Sequence, residues 1–162
     1  MAQKRLICFL FLSVWMLLAF TVTAQPPKKA IVAPIAKFKP PIVRSYLGKY
    51  TGINVTASPD EGKLAVTWPI KIADDKNYIY QLSSYQFAYK RIGITENEET
   101  GKTSPETDLA ANRFTVTPLP EVWQKNINET LHKGEEFYFF DIIAIDKQGR
   151  RFFVPEIKIS IQ

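Results

Sequence analysis

"EEFYFFDIIAIDKQGRRFFVPEIKISIQ", Glu135–Gln162, ends the chain with two apolar runs around a polar turn. With a period of two, Phe137, Phe139, Asp141, Ile143 and Ile145 fall on one face of a strand. Tyr138, Phe140, Ile142 and Ala144 fall on the other, so both sides of the strand are covered. After Asp146-Lys147-Gln148-Gly149, the residues Phe153, Pro155, Ile157, Ile159 and Ile161 alternate with Val154, Glu156, Lys158 and Ser160. That second strand has one dry and one wet face. The DKQG link suits a tight turn with glycine at positive φ, and the whole stretch predicts a β-hairpin.

Upstream, one helix is expected from Pro120 to Leu131. Trp123, Ile127 and Leu131 recur at i, i+4 and i+8, Val122 widens the stripe, and Lys133-Gly134 ends it. Thr95–Asn112, "TENEETGKTSPETDLAAN", is polar and acidic and predicts a long exposed loop, followed by a short strand over "RFTVTPL". "YIYQLSSYQFAYKRIGI" predicts a long strand with Tyr85, Phe87 and Tyr89 on one face. "INVTA" (Ile53–Ala57) predicts another strand. Ser58–Gly62 marks a turn, and "KLAVTWPIKI" predicts a strand with Leu64, Val66 and Trp68 on one face and an irregularity at Pro69. Short strands, regular turns and one helix place residues 48–162 in the all-β class, as an immunoglobulin-like β-sandwich with one short helix.

Two segments precede that domain. Residues 1–24 read as a secretory signal peptide: Lys4 and Arg5, then an apolar run from Leu6 to Phe20 broken only by Ser13, then Val22-Thr23-Ala24 before a cut between Ala24 and Gln25. The chain's single cysteine, Cys8, falls inside this leader, so the exported portion has no thiol chemistry and no disulfide. Residues 25–47 read as a basic, Pro-rich extended arm or linker, with Pro26, Pro27, Pro34, Pro40 and Pro41 ahead of the first glycine, Gly48.

The formal charge of +5 divides unevenly. Residues 25–50 carry Lys28, Lys29, Lys37, Lys39, Arg44 and Lys49 and no acid, whereas residues 51–162 have an acidic balance. A nucleic-acid-binding domain would carry its basic charge on the folded surface, so that class is disfavoured. The arm is a solvated linker, packs on its own domain or reaches a partner: Lys37, Lys39 and Arg44 are its candidate contacts to an acidic protein or an anionic membrane surface.

Catalytic parts are scarce. Asp141, inside an apolar strand, is the most suggestive residue, and a hydrogen-bonded carboxylate or a pair with Arg150 or Arg151 is favoured over a general acid. His132 is the sole histidine and reads as a solvated helix-end cation. With no second histidine, neither a zinc site nor a Ser-His pair can be assembled. "GKTS" at 101–104 lacks the earlier glycine of a phosphate loop, because Glu96 stands there. Glu96, Glu98, Glu99, Glu106 and Asp108 match no calcium-loop spacing. Asn54 and Asn128 head sequons of chance frequency. No cofactor is expected. Trp68 and Trp123 are the candidates for a lectin-like alternative that stacks glycans or small ligands.

Residues running in order through the last third of the chain carry a family resemblance. Asn112-Arg113-Phe114-Thr115 comes first, then a helix ending near Leu131, and Gly134 opening an aromatic strand. Asp141-Ile142, Ala144, Asp146-x-x-Gly149-Arg150, and Pro155 with Ile157, Ile159 and Ile161 follow. Over about residues 75–162 this resembles the C-terminal domain of the GldM family, periplasmic proteins of the Bacteroidetes gliding and type IX secretion machinery. The "TVTAQ" region also looks like signal peptides of that phylum. The resemblance implies an immunoglobulin-like domain in the periplasm or outside the cell that works by contact with other proteins. Without the family's membrane helix bundle and tandem domains, it implies an accessory interaction module rather than a motor component.

Overall fold

A computed structural model describes residues 37–96 and 98–162, and the compact unit among them runs Lys39–Gln162. The leader, the Ala24/Gln25 cleavage site and most of the arm lie outside the described residues. In chain order the elements are β1 (Val43–Leu47), β2 (Val55–Ala57), α1 (Pro59–Ala65), β3 (Ile70–Asp74) and β4 (Ile79–Glu96). Then come β5 (Thr103–Phe114), α2 (Glu121–Thr130), β6 (Glu136–Ile145), β7 (Arg151–Val154) and β8 (Ile157–Ile161). Half of the described residues are strand, which is the all-β class. The strands follow one mixed, curled path, β1-β3-β4-β6-β8-β2, with β5 added to β4 and β7 to β6. All pairs are antiparallel except β2 with β8.

The quoted C-terminal stretch forms the expected hairpin, but its faces change halfway. Phe137 and Phe139 are buried, and so are Ile142 and Ala144, which strict alternation puts on the opposite face. The switch is at Asp141, which takes a left-handed backbone with φ 46°. Register with β4 jumps there, from Gln86↔Phe140 to Ser84↔Ile143, and a compensating slip follows between Ser84 and Leu82. An extra residue in one strand is a β-bulge, which bends the strand and adds twist. The neighbouring strand changes face at the same level: Phe152 and Val154 are buried in β7, then Ile157, Ile159 and Ile161 in β8, with Pro155 and Glu156 between. Phe153, expected on the dry face, is 71% exposed. These irregularities line up as a crease, and a sheet that creases at bulges can turn a corner and cover its own face. Ser45 of β1, 1% exposed, fastens the turned sheet by donating from Oγ to the Pro155 carbonyl at 2.5 Å.

Below the crease, Tyr85, Phe87 and Tyr89 of β4 meet Phe137 and Phe139 of β6, and all five are buried. Their ring centroids sit 4.8–6.0 Å apart, within the range of favourable aromatic pairs. α2 covers this cluster, with Ile127 buried and Trp123 meeting Phe87 and Phe114 edge-on at 5.5 and 5.7 Å. Val122 does not join the stripe: it is 72% exposed.

Three further expectations are corrected. Ser58–Gly62 is not a turn but the start of α1. Ser58 accepts from the Glu61 N–H while the Glu61 carboxylate accepts from the Ser58 N–H, a reciprocal cap with Pro59 at the first helical position. Leu64 therefore lies on a helix and is exposed, rather than on a strand face with Val66 and Trp68. The expected loop 95–112 is mostly hairpin, since β4 continues to Glu96 and β5 returns from Thr103. Polar residues hid it because both faces of its outer part meet solvent, so no apolar alternation is required. Finally, the arm does not reach residue 47. Its last five residues are β1, paired with β3 from Val43↔Asp74 to Leu47↔Ile70, with Val43 and Leu47 buried.

Two outcomes follow from these contacts. Deleting residues 25–45 removes Val43 and the Ser45–Pro155 bond, and should lower the thermal midpoint in a circular-dichroism melt by at least about 5 °C. An unchanged midpoint would mean that β1 is not part of the cooperative unit. The Lys49 ammonium and the cap at Ser58 hold the exposed Glu61 carboxyl down to about 2 from an ordinary 4.5. A depressed folded value makes the ionised form stabilising above the ordinary range, and that contribution is lost as the pH falls toward 2. NMR titration of Glu61 should show the low midpoint, moving upward in Lys49→Met.

Candidate interaction site

The outer face of the sheet beside the crease carries an apolar depression. β5 contributes Leu109 and Ala111, β4 Ala88 and Lys90, and β6 Glu136, Tyr138 and Phe140. β8 adds Lys158, Glu156 closes the end, and Ile53 reaches over from the segment before β2. The volume is about 560 Å³. The register explains the shape. Ala88 stands between Ala111 on β5 and Tyr138 on β6, so two methyl groups make a floor beside an aromatic wall. Tyr138 and Phe140, two apart on one strand, stack at 4.9 Å with 15° between their planes. Leu109 and Ile53 are 62% and 56% exposed on the rim.

The charged groups around this groove satisfy one another. Glu136 lies between Lys158 at 3.0 Å and Lys90 at 3.4 Å, and hydrogen bonding from the two ammonium groups holds its carboxyl below the usual range. The Tyr138 hydroxyl donates to Glu156, and that bond with partial burial pushes the phenol up to about 12. Two cations balance two carboxylates, and each carboxylate already has a partner. Such a surface offers apolar area, stacking and neutral polar contacts rather than a base or a nucleophile.

Asp141 stands at the upper end of this face, and its carboxylate accepts from Gln86 Nε2 at 2.6 Å. Arg150 is not brought to it: its Nε donates to Asp146 at 2.7 Å within the β6–β7 turn. Asp141 is therefore a bulge residue, and an aspartate tolerates a left-handed backbone better than most side chains.

The carboxylate that sequence reasoning missed is Glu135, only 2% exposed. It accepts from the Tyr89 hydroxyl at 2.5 Å, from the His132 N–H at 2.9 Å and from the Ile92 N–H at 3.4 Å. Burial and this bond push the Tyr89 phenol up. Three donors convert a costly buried acid into a joint between the end of α2, the root of the β4–β5 hairpin and the start of β6. The signal available in the sequence was a glutamate just before an aromatic strand and just after a helix-ending glycine.

The other candidates separate. Lys37, Lys39 and Arg44 are all exposed, and Arg44 sits on β1 opposite Ala73. His132 is exposed past the end of α2. Trp123 packs in the core, and Trp68 is half-buried against Gly48, where its ring leaves no room for a side chain and φ is 57°. Trp68 also borders a shallower depression with Tyr46, Lys71 and Asn77. Asp108 pairs with Arg91, and Glu106 accepts from Thr95. Among the described residues no three acidic, histidine or cysteine side chains converge on a metal position, and no helix is long and apolar enough to cross a membrane. Comparison with protein-family models and with curated proteins finds no match.

Asp141→Val places a β-branched residue at positive φ and should cost roughly 1–3 kcal/mol in urea unfolding. Asp141→Asn, which keeps both the tolerated backbone and an oxygen for Gln86, should stay within about 1 kcal/mol of wild type. Equal losses in the two variants would show that charge, not backbone conformation, is what the position requires.

Proposed function

We propose that this protein is an exported, non-catalytic β-domain that binds other proteins in the periplasm or outside the cell. The observation that supports this reading is the groove at Ala88, Ala111, Tyr138 and Phe140, where apolar floor, stacked rings and mutually neutralised charges face solvent together. An extended polypeptide fits such a trough, because alternate side chains of a strand can enter it while the intervening ones face solvent. The sequence resemblance to the GldM C-terminal domain adds the immunoglobulin-like description and the setting, an accessory of an envelope complex related to gliding or type IX secretion. Lys37, Lys39 and Arg44 supply a second, basic contact, to a protein or to an anionic membrane surface.

A lectin-like reading draws on the same half-buried aromatic pair, since stacked rings at a surface are also a platform for sugar faces. It loses Trp123 and Tyr85, which serve the core. The experiment that separates the two places a photo-crosslinking phenylalanine analogue at Phe140 in the exporting cell, with the same analogue at the exposed Val122 as control. Discrete polypeptide adducts at position 140, absent at 122 and lost in Tyr138→Ser, are expected. Equal labelling at both positions would sink the groove as a protein site, and glycan-array binding abolished by Tyr138→Ser would move the assignment to carbohydrate.

A further inference from the structure

Among the described residues β5 pairs with β4 alone, leaving the other edge of a twelve-residue strand open. An open edge of this length invites another strand unless something blunts it. The Arg113 N–H is held by the Asn112 side chain at 2.8 Å and so lies outside the β4–β5 ladder. Backbone groups alternate sides along a strand, which puts those of Thr107, Leu109 and Ala111 outward as well, together with Pro105, which has no N–H. The open edge therefore offers free donors at Thr107, Leu109 and Ala111. It is closed at one end by proline and at the other by the internally satisfied Arg113. All three residues between are exposed, as are Glu106, Asp108 and Asn112 on the opposite face.

This window is symmetric about Leu109. We infer that the β5 edge pairs with the β5 edge of a second copy of this chain, antiparallel, with the two-fold axis at Leu109. In that register Leu109 faces its twin and Thr107 faces Ala111, so every free donor gains an acceptor in roughly six new backbone bonds. Pro105 faces Arg113, the two positions with no donor to offer. Across the other face Glu106 meets Asn112 and Asp108 meets Ala110, so no like charges stand opposed, and Asp108 is already paired with Arg91. Moving the axis to Ala110 sets Thr107 against the satisfied Arg113. Moving it to Thr107 sets Leu109 against proline. Only the Leu109 axis uses the whole window, and self-complementarity of this kind is what an isologous contact requires. Two Leu109 side chains, each 62% exposed in the single chain, cover one another at the axis and join the two grooves into one trough. The inference rests on the interaction reading above and names the occupant of one edge.

Sedimentation equilibrium of the purified protein across the micromolar range should show a reversible dimer, weakened at least about tenfold by Leu109→Lys, which sets two ammonium groups on the axis. Because residue 109 is exposed, the thermal midpoint of the variant should match that of wild type diluted to monomer, separating lost pairing from lost folding. Under mild oxidation Leu109→Cys should form a disulfide-linked dimer, with wild type as the control for Cys8. Thr107→Cys should link only when mixed with Ala111→Cys. Tyr138→Ser should dimerise normally. A monomer at every concentration, or Thr107→Cys linking to itself as readily as Leu109→Cys, would overturn the inference. A monomer that still gives protein adducts at Phe140 would remove the edge pairing and leave the groove reading standing. A dimer without such adducts would do the reverse.

Discussion

The crease at Asp141 is the constraint on which the rest of the structure depends. A strand with period two keeps each side chain on a fixed face, so one extra residue reverses every assignment beyond it. Here the reversal lets Phe137 and Phe139 bury below the crease and Ile142 and Ala144 above it. The adjoining strand makes the same change through Pro155 and Glu156. Neither irregularity would be tolerated alone, because an unmatched bulge would turn the apolar residues of its neighbour toward water. Together they let one sheet bend far enough for β1 to reach the Pro155 carbonyl.

The same bend positions the candidate binding face. Tyr138 and Phe140 lie just below the bulge on the side opposite the core, where both are half-buried. Ala88 and Ala111 beside them keep the floor low, so the rings stand as a wall rather than as part of a flat surface. Charged side chains at the rim neutralise one another, which removes the strong field that would draw a phosphate or a metal ion. What remains is suited to recognition by shape and by backbone pairing.

Much of this was legible in the sequence, and the failures share causes. The long aromatic strand through Tyr85, Phe87 and Tyr89 and the helix through Ile127 were plain because a single buried face imposes its period. The outer part of β5 was invisible because solvent on both faces imposes none. Ser58-Pro59-Asp60-Glu61 spells the capping box of α1, but Pro59 and Gly62 are also turn formers, so the same stretch reads as a turn. The groove mixes residues from four strands whose register depends on two bulges, so no local pattern could assemble it. Glu135 escaped notice because its partners are two backbone amides and a tyrosine distant in sequence.

That carboxylate also sets how the domain comes apart. Glu135 accepts from Tyr89 and Ile92 on the ribbon and from His132 after the helix, while its own carbonyl accepts from Ile161 at 2.8 Å, the last strand residue. Freeing the ribbon base or the helix end strips a donor from the buried carboxylate, and freeing the final strand strips one from the Glu135 carbonyl. The ribbon base, the helix end and the final strand thus form a single exchange unit, whose amides should surrender their protons to deuterium together while the ribbon tip exchanges early.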